Sequence, residues 1–425
     1  MPEIKYYFVS YTDLFGYQRA KMVPAAAFEG AKANGAGFAG FASWLDLSPA
    51  DGDLLAMPDM DSLIQLPWKP EIAWVASDLV LDGVPLAQSP RGVLKALTAE
   101  AAAQGFEMRS GVEPEFFLLT PAGDAISDPS DAAEKPCYDQ SALLRRYEVI
   151  AEICDHMQTL GWGPYQNDHE DANGQFEMNW RYDTALRTAD KHAFFKFLAK
   201  SVAENHGFRV TFMPKPFAHL TGNGCHVHVS GWVPGGDSCL FDDASDEDGL
   251  SATGKAFMAG VLDHAQALSA FANPVVNSYK RTQPGTTLSG ATWAPNTVTW
   301  TGNNRTHMVR IPGPGRFEFR LADGAANPYL LQAALLAAGL DGMARKTALT
   351  ARTDGNMYDV PPKARTAPKL PTSLDQALTA LEADTTFRNA IAPEMASAFL
   401  KLKRGEWQAY LAHYSAWEHA NAIDI

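Results

Sequence analysis

Side chains able to bind metal ions or phosphate are concentrated in a few short stretches of this chain. The stretches run from Glu113 to Glu115, from Glu170 to Glu177, from His226 to His228, from Lys280 to Arg281 and from Arg316 to Arg320. In a β-strand, residues two apart share a face, so alternating charged groups point to one side while Phe317 and Phe319 point to the other. A solvated sheet face explains any one stretch, but the whole set favours a functional site.

The residue types in these stretches predict metal-assisted phosphoryl chemistry. Glutamates with one or two histidines form an oxygen-rich ligand set that suits Mg²⁺ or Mn²⁺ better than zinc or copper, and two ions can be held. Five arginines fall in one region, namely Arg281, Arg305, Arg310, Arg316 and Arg320. Metal ions and guanidinium groups together neutralise the charge that spreads over a transferred phosphoryl group. The chain has no Walker loop and no kinase signature, so a nucleotide must be held by other means.

Taken one at a time, the same residues have simpler explanations. A lone His226 is more often a hydrogen-bonded core histidine than a metal ligand, because a buried polar group needs only a partner. Arg281 or Arg305 alone fits a structural ion pair, and Tyr182 alone fits core packing. The site interpretation therefore depends on these residues occurring together.

Strands and helices must position these groups, and the sequence predicts both. Short strands separated by Gly, Pro and Asp, including 71–81, predict a small β-rich domain from Lys5 to about Asp82. Ser89 and Pro90 are a typical N-cap and first residue of a helix that stops at Gly105. Apolar periodicity predicts further helices at about 141–160, 183–206, 255–272, 328–344 after an Asn327 cap, 374–382 and 404–420.

The composition is that of a large, acidic, soluble protein. The chain has 425 residues, 46% of them hydrophobic, and a net charge of -14, which argues against a general nucleic-acid binder. Its four cysteines show no zinc or redox spacing, and we find neither a secretory signal nor an apolar stretch long enough to span a bilayer. These features predict a cytoplasmic protein with no membrane or nucleic-acid partner.

In order and content, the charged motifs resemble those of glutamine synthetases. The matching segments begin with Met57-Pro-Asp59, Pro90-Arg91 and Gly111-Val-Glu-Pro-Glu-Phe-Phe117, followed by His169-Glu170, Gly174-Gln-Phe-Glu177 and Gly222-Asn-Gly-Cys-His-Val-His-Val-Ser230. They continue with Asn277-Ser-Tyr-Lys-Arg281, Asn304-Arg305, Arg310-Ile-Pro312, Arg316-Phe-Glu-Phe-Arg320, Ala326-Asn-Pro-Tyr329 and Leu370-Pro-Thr-Ser-Leu374. The resemblance covers nearly the whole chain, and the set of motifs is highly specific.

This resemblance implies an α+β fold of the glutamine synthetase type. We expect a small N-terminal β-grasp domain over residues 1–88. A large catalytic domain is expected over residues 89–425, with an antiparallel sheet forming an open funnel surrounded by helices. The resemblance also implies a double-ring homo-oligomer, a dodecamer, whose active sites lie between neighbouring subunits.

The resemblance assigns roles to individual residues by motif position. One metal ion is assigned to Glu115, Glu170 and Glu177, and a second, nearer the transferred phosphate, to Glu113, His226 and Glu318. The assigned nucleotide-binding residues are His228, Ser230, Arg310 and Arg316, with Tyr182 packing on adenine. Substrate glutamate is assigned to Arg281, Arg320 and the backbone of Gly222, and Arg305 is placed near the phosphoryl group. Arg281, Arg305 and Arg320 are the expected catalytic residues.

Two acids expected in the ammonium site of this family are missing. Glutamine synthetases usually have Gly-Phe-Asp-Gly-Ser-Ser in the N-terminal domain, but this chain has Ala39 in place of the aspartate and Ala42 in place of a serine. Phe41 and Trp44 add aromatic rings, and Thr287 stands where a flap glutamate is expected. Lost carboxylates weaken the binding of bare ammonium, while an aromatic face attracts an alkylammonium by about 0.5 to 2 kcal/mol.

The pattern is similar to γ-glutamylmethylamide synthetases, which join glutamate to methylamine. It predicts a two-step ligase in which ATP phosphorylates the γ-carboxylate of glutamate and methylamine attacks the γ-glutamyl phosphate, giving γ-glutamylmethylamide, ADP and phosphate. The alternatives are a glutamine synthetase that uses ammonia, a γ-glutamylpolyamine synthetase and, more remotely, a catalytically silent structural or regulatory relative. The sequence does not name the group that deprotonates the amine; another carboxylate of the cleft or a phosphate oxygen would serve.

Overall fold

The structure is a computed structural model that describes residues 2–283, 285, 287–360 and 366–425. Within these ranges the strands are β1 (Tyr6–Thr12), β2 (Gln18–Pro24), β3 (Ala36–Phe38), β4 (Leu54–Pro58), β5 (Ile64–Gln65), β6 (Ile72–Leu81), β7 (Val84–Pro85), β8 (Glu107–Leu119), β9 (Gln166–His169), β10 (Gln175–Asn179), β11 (Asp183–Thr184), β12 (Arg209–Thr211), β13 (Cys225–Trp232), β14 (Trp300–Thr301), β15 (Val309–Gly313) and β16 (Arg316–Phe319). The helices are α1 (Ala25–Asn34), α2 (Pro90–Ala103), α3 (Gln140–Arg145), α4 (Tyr147–Thr159), α5 (Ala185–Asn205), α6 (Ala252–Asp263), α7 (Ala265–Ala272), α8 (Ser278–Thr282), α9 (Pro328–Arg345), α10 (Leu374–Ala383), α11 (Thr385–Ile391), α12 (Pro393–Leu411) and α13 (Ala416–Ala422).

The first sheet is built from the N-terminal strands in the order β2-β1-β6-β4-β3, with β5 and β7 also pairing with β6. Strands β1 and β6 are parallel, and the other pairs are antiparallel. The prediction of a strand at 71–81 is confirmed by β6. Helix α1 was not predicted from the sequence, because its alanine-rich residues bury only Phe28 and carry no apolar stripe. The division into domains at residue 89 stays a prediction.

The second sheet positions the charged motifs. Its order is β14-β15-β16-β13-β8-β10-β9, with β11 and β12 also pairing with β8. All of its pairs are antiparallel except β14 with β15. Helices surround the two sheets, which confirms the predicted α+β class. Within the described residues, no helix is both long enough and apolar enough to cross a membrane.

Two predicted helix starts are confirmed by their caps. The Ser89 hydroxyl accepts a hydrogen bond from the Gly92 amide at the start of α2, and the Asn327 side chain accepts from the amides of Tyr329 and Leu330 at the start of α9. Helix α9 is buried on nearly every face and crosses α6 at a close approach. A Cβ atom on Gly260 of α6 would lie 2.1 Å from the Ala338 carbonyl oxygen, so only glycine fits there.

Several predicted helix boundaries are wrong. The helix predicted at 141–160 is divided between α3 and α4 at Arg146, whose guanidinium donates to the Ser127 hydroxyl at 3.0 Å. The helix predicted at 255–272 is divided at His264, whose ring nitrogens contact Asp384 at 2.6 Å and Asp341 at 2.8 Å. The helix predicted at 404–420 begins at Pro393 as α12 and resumes as α13. Long-range side-chain contacts accompany the first two breaks, and local periodicity contains no sign of them.

A buried arginine joins the first sheet to helix α5. Arg91 is 3% exposed; its Nε contacts Asp190 Oδ1 at 2.9 Å, and its terminal nitrogens contact Asp78 at 2.6 Å and Asp59 at 3.0 Å. Removing one partner from a buried ion network leaves charges without compensation. Arg91→Met should therefore lower the free energy of unfolding by about 3 to 5 kcal/mol, measured by urea denaturation.

Lys95→Met is the matched control for this prediction. Lys95 contacts the same Asp59 and Asp78 carboxylates at 2.9 and 2.5 Å, but its side chain is 45% exposed. Solvent-exposed ion pairs contribute about 0 to 1 kcal/mol, so this variant should unfold nearly as the wild type does. Equal losses in the two variants would contradict the structural role of Arg91.

Candidate active site

One cavity of about 720 Å³ gathers most of the residues predicted to do chemistry. Its walls include the six predicted metal ligands, Glu113, Glu115, Glu170, Glu177, His226 and Glu318, and the predicted substrate- and nucleotide-binding residues Tyr182, Gly222, His228, Arg281, Arg305, Arg310, Arg316 and Arg320. Ser230 lies in a neighbouring cavity of about 270 Å³ instead. The roles of these residues stay predictions, but the structure brings their side chains to one place.

Strand register in the second sheet explains why these groups meet. His226 of β13 lies opposite Glu113 of β8, and His228 lies opposite Glu318 of β16. Directly opposite residues of antiparallel strands have Cβ atoms about 4.5 to 5.5 Å apart, so each pair faces the same space. The alternation predicted for these strands is confirmed, since Phe317 and Phe319 are fully buried on the other face.

The charged stretches at 170–177 and 280–281 are positioned by elements other than the β8–β13 and β13–β16 pairs. Glu177 lies opposite Glu115 in the β8–β10 pair, while Glu170 directly follows the end of β9. Arg281 and Lys280 belong to the short helix α8 and not to a strand. The turn of α8 makes its backbone hydrogen bonds locally. The buried Arg281 side chain therefore reaches the cavity from outside the sheet.

Glu113 contacts both predicted histidines of the cavity. Its carboxylate lies 3.6 Å from His226 Nδ1 and 3.0 Å from His228 Nε2. Burial opposes ionisation of Glu113, but hydrogen bonds and charge from the two histidines hold its pKa well below its ordinary value. The free His226 Nε2 atom is buried and has no hydrogen-bond partner among the described residues, so it is available to a ligand.

Ligand atoms able to hold a divalent ion come within 4.8 Å of one another in three overlapping groups. The groups are Glu113 with Glu177 and His226, Glu113 with His228 and Glu318, and Asp168 with Glu170 and Glu177. Glu115 belongs to none of these groups in the described chain; its Oε2 accepts from the Gln175 amide at 3.0 Å and the Gly224 amide at 2.6 Å. The division of the ligands into two sets stays a prediction. The donor atoms present fit divalent ions, because they are mostly carboxylate oxygens and include the unpartnered nitrogen of His226.

Crowding of carboxylates raises several pKa values in the same cavity. Burial, with the charges of Glu115 and Asp168, raises the pKa of Glu170 well above its ordinary value, and burial with the charge of Glu170 does the same to Glu177. The pKa of Asp168 is raised to about 6 by burial and by Glu113 and Glu115. A bound cation would relieve this mutual repulsion, which is a further reason to expect metal ions here.

Arginines also line the cavity. Glu318 accepts from Arg310 at 2.8 Å and from Arg320 at 2.5 Å, and although burial opposes ionisation, Arg320 helps to lower the pKa of this carboxyl. Arg305 lies in the turn between β14 and β15 and is exposed at the cavity wall. The cavity therefore offers carboxylates that can hold cations and guanidinium groups that can hold anions.

Two glycines allow the backbone to approach the charged side chains. A Cβ atom on Gly222 would lie 2.2 Å from the Pro214 carbonyl oxygen, and one on Gly224 would lie 2.9 Å from the Glu115 carboxylate. Both distances are shorter than real carbon contacts, so neither position accepts another residue without rearrangement. Gly222 thus presents bare backbone to the cavity, as its predicted contact with glutamate requires.

The neighbouring cavity has aromatic walls. The rings of Tyr182 and Trp232 stack at a centroid distance of 6.1 Å with planes 21° apart, and the Trp232 indole donates to the Ser230 hydroxyl at 2.8 Å. The guanidinium of Arg109 lies 4.6 Å from the Trp232 ring centroid. Because Tyr182, His228 and Arg316 line both cavities, a planar base beside these rings would place its phosphates toward the predicted metal ligands.

The predicted amine-pocket residues do not line the cavity of their own chain within its described part. Ala39, Phe41 and Ala42 are exposed beyond β3 in the N-terminal part of the chain, and Trp44 stacks on Phe15 at a centroid distance of 4.7 Å. Thr287 is buried, and its hydroxyl donates to the Ala291 carbonyl at 2.5 Å. A pocket built from these residues would require the surface at Ala39 to meet the cavity of another copy.

Residues that were not predicted from the sequence also lie in and beside the cavity, among them Asp168, Asp171 and Trp293. Asp168 and Trp293 line it, and Asp171 accepts a hydrogen bond from the Trp293 indole at 2.7 Å. Asp168 precedes Glu170 by two residues, so the alternation rule applied to the other stretches would have found it. Trp293 lies in a loop with no periodic pattern, and no sequence signal identified it.

Comparison with known proteins gives consistent matches. Residues 87–422 match the family described as "Glutamine synthetase, catalytic domain". A protein of Rhizobium meliloti (strain 1021) named glutamine synthetase is 60% identical over 422 residues, which cover 99% of this chain and 97% of that protein. A protein of Methyloversatilis universalis named glutamate–methylamine ligase is 40% identical over 425 residues, covering 98% of this chain and 95% of that protein. A solved structure of GmaS with ADP has a TM-score of 0.96 at 57% identity, covering 99% of this chain and 97% of that one.

Proposed function

This chain belongs to the glutamine synthetase family of ATP-dependent carbon–nitrogen ligases, and we propose that its amine substrate is methylamine. The observation that carries this proposal is the absence of an acid at Ala39 and at Thr287, where the family motif has an aspartate and a glutamate. The similarity to GmaS and to a glutamate–methylamine ligase supports it. The product would be γ-glutamylmethylamide, in methylated-amine assimilation within nitrogen metabolism.

The first step would transfer the γ-phosphoryl group of ATP to the γ-carboxylate of glutamate. Arg281, Arg320 and the Gly222 backbone would bind glutamate, and Arg305 would neutralise charge on the transferred phosphoryl group. His228, Ser230, Arg310 and Arg316 would bind the nucleotide, and Tyr182 would pack on its base. Activation as an acyl phosphate gives the carboxyl carbon a good leaving group.

We assign two or more Mg²⁺ or Mn²⁺ ions to the carboxylates of the cavity. Glu113, Glu115, Glu170, Glu177, His226 and Glu318 are the assigned ligands, and Asp168 and His228 lie in the same groups of possible ligand atoms. Bound divalent ions would offset the phosphate charge and orient the phosphoryl group for in-line attack. The arginines that line the same cavity would complete that neutralisation.

Asp168 is the group we assign to deprotonate the amine in the second step. Its Oδ1 atom is buried without a hydrogen-bond partner in the described part of the chain, while the side chain lines the cavity next to Glu170. Methylamine is an ammonium ion at neutral pH, and its nitrogen cannot attack until it loses a proton. Asp168 would take that first proton, the neutral amine would attack the γ-glutamyl carbon, the bond from this carbon to the phosphate oxygen would break, and the departing phosphate would take the second N–H proton.

A second subunit would complete the amine pocket in this proposal. The exposed surface with Ala39, Phe41, Ala42 and Trp44 would close over the neighbouring copy's cavity near Thr287, in a double-ring homo-oligomer, a dodecamer. We place the enzyme in the cytoplasm, because it would consume ATP and its four cysteines are unpaired.

Glutamine synthesis from ammonia is the second candidate function. The relatives at 60% identity carry the name glutamine synthetase, and ammonia is small enough to enter any pocket that admits methylamine. One methyl group in an apolar pocket favours methylamine over ammonia by only about 1 to 3 kcal/mol. Some glutamine is therefore expected even from an enzyme that prefers methylamine.

The experiment that tests the function identifies the products. The protein is incubated with glutamate, ATP, methylamine and either Mg²⁺ or Mn²⁺, and mass spectrometry follows γ-glutamylmethylamide while ADP and phosphate are quantified. Equal amounts of the three products, and none after chelation of the metal, are expected. ATP hydrolysis without amide formation would contradict the proposal.

Restoring the missing aspartate should shift the amine preference. Ala39→Asp adds a carboxylate that binds and deprotonates bare ammonium, and it narrows the space for a methyl group. The ratio of kcat/KM for methylamine to that for ammonia should fall by about tenfold or more, as expected for a discrimination of 1 to 3 kcal/mol. Ala50→Asp, at another exposed alanine, is the control and should leave the ratio unchanged. An unchanged ratio in Ala39→Asp would remove Ala39 from the amine pocket.

A further inference from the structure

A loop within residues 287–299 places an indole ring in the wall of the main cavity. Trp293 is half-buried and lines the cavity together with Asp168, Glu170 and Arg305. Its φ is 53°, in the left-handed region that bulky side chains rarely adopt. Such a conformation persists only where the surrounding structure holds it, and it is often associated with ligand sites.

Two hydrogen bonds hold this residue in place. The backbone N–H of Trp293 donates to the Tyr358 hydroxyl at 2.8 Å, and its indole N–H donates to Asp171 Oδ2 at 2.7 Å. One bond fixes the backbone of the loop and the other fixes the ring. The orientation of the indole in the cavity wall is therefore determined by the protein before any ligand binds.

Asp171 connects the indole to the carboxylates of the cavity. It is 8% exposed, and its Oδ2 atom also accepts from Ser289 at 2.5 Å and from Thr221 at 3.0 Å. The Asp171 amide donates to Glu170 Oε2 at 3.1 Å. The Asp171 carboxylate thus joins the Trp293 loop to the residue before Gly222, and the backbone amide of the same residue contacts a predicted metal ligand.

We propose that Trp293 is the aromatic wall of the amine subsite and that Asp171 is the residue that positions it. This inference rests on the proposed function, because it requires an alkylammonium substrate. Such a cation, drawn toward Asp168 and Glu170, would lie against the indole, the aromatic group that attracts cations most strongly. Its methyl group would also contact the ring, a contact that bare ammonium cannot make, so the wall favours substituted amines.

This wall is separate from the surface at Phe41 and Trp44. Those residues lie outside the cavity of their own chain, whereas Trp293 lies in it without any second subunit. The missing acid at Thr287 and the indole at Trp293 belong to the same loop, in which the Thr287 hydroxyl bonds to Ala291. The loop thus lacks the family's carboxylate and supplies an aromatic face.

The test compares Trp293→Leu with Trp293→Phe in the full-length protein. Trp293→Leu removes the aromatic face and should raise the KM for methylamine about tenfold, while the KM values for glutamate and ATP stay unchanged. Trp293→Phe keeps a ring and should remain closer to the wild type. Asp171→Asn should raise the methylamine KM in the same direction with little change in kcat, because it acts by loosening the ring. Trp293→Met serves as a second apolar variant if Trp293→Leu does not fold.

The outcomes separate this inference from the proposed function. If the wild type makes no γ-glutamylmethylamide, the proposed function fails and the inference fails with it. If the wild type makes it and Trp293→Leu keeps the wild-type methylamine KM, only the inference is overturned. Equal KM increases in the Leu and Phe variants, or an equal rise in the glutamate KM, would also overturn it. Melting temperatures with and without Mn²⁺ and ATP establish that each variant is folded and binds nucleotide.

Discussion

Asp168→Asn should lower kcat with methylamine by about 10²- to 10⁴-fold, the usual contribution of a positioned general base. Asparagine keeps the shape of the side chain but cannot accept the amine proton. The same variant should retain most of its activity with hydroxylamine, which is uncharged at neutral pH and need not lose a proton before it attacks. The measurement compares kcat for the two nucleophiles, with hydroxamate detected for hydroxylamine.

This comparison separates proton removal from metal binding. Asp168 lies in one group of possible metal ligands with Glu170 and Glu177, so its loss could also weaken an ion. Loss of an ion would lower activity with both nucleophiles and reduce the rise in melting temperature caused by Mn²⁺ and ATP. Asp237→Asn, at an exposed loop aspartate, is the matched control and should leave both rates unchanged. Equal losses with the two nucleophiles would contradict the assignment of Asp168 as the base.

Glu113→Gln should reduce activity with every amine by about 10³-fold or more. Glu113 belongs to two of the three groups of possible ligand atoms, and neutralising it removes a charged ligand from both. Metal ions contribute several kcal/mol of charge stabilisation to phosphoryl transfer, and about 1.4 kcal/mol corresponds to tenfold in rate. The rate of phosphate release at saturating glutamate and ATP is the measurement.

A folding defect would give the same loss of activity, so stability is measured in parallel. In the metal-free protein burial opposes ionisation of Glu113, but the contacts with His226 and His228 hold its pKa well below its ordinary value, so the Glu113 charge stabilises the fold at neutral pH. The melting temperature without metal should therefore fall, because the two histidines lose a charged partner, and the further rise caused by Mn²⁺ should be smaller than in the wild type. Glu100→Gln, at an exposed glutamate of α2, is the matched control. Full Mn²⁺ stabilisation in Glu113→Gln would contradict its assignment as a ligand.

Local sequence patterns predicted those parts of the site that depend on a single strand. The alternation of Glu113 with Glu115, and of His226 with His228, correctly placed each pair on the cavity side of its strand. The N-caps at Ser89 and Asn327 were equally local and correct. A resemblance to a known family supplied the α+β fold and the ligase chemistry.

Features that depend on distant contacts were not predictable in the same way. The break at His264 accompanies contacts with Asp341 and Asp384, 77 and 120 residues away in sequence. Trp293 lines the cavity in a loop whose indole is held by Asp171, 122 residues away. The acids come together around Glu113 because of the register between strands and the conformations of their side chains. The spacing of residues along one strand specifies neither of these.

The most direct test of the account measures kcat/KM for methylamine and for ammonia in the wild-type protein. Phosphate release is followed with saturating ATP, glutamate and Mg²⁺ or Mn²⁺ over a concentration series of each amine, with ethylamine and putrescine testing the size of the pocket. Because two acids of the ammonium site are absent and an indole faces the cavity, methylamine should have the higher kcat/KM. A higher kcat/KM for ammonia would show that the lost acids are replaced elsewhere and that the protein is a glutamine synthetase.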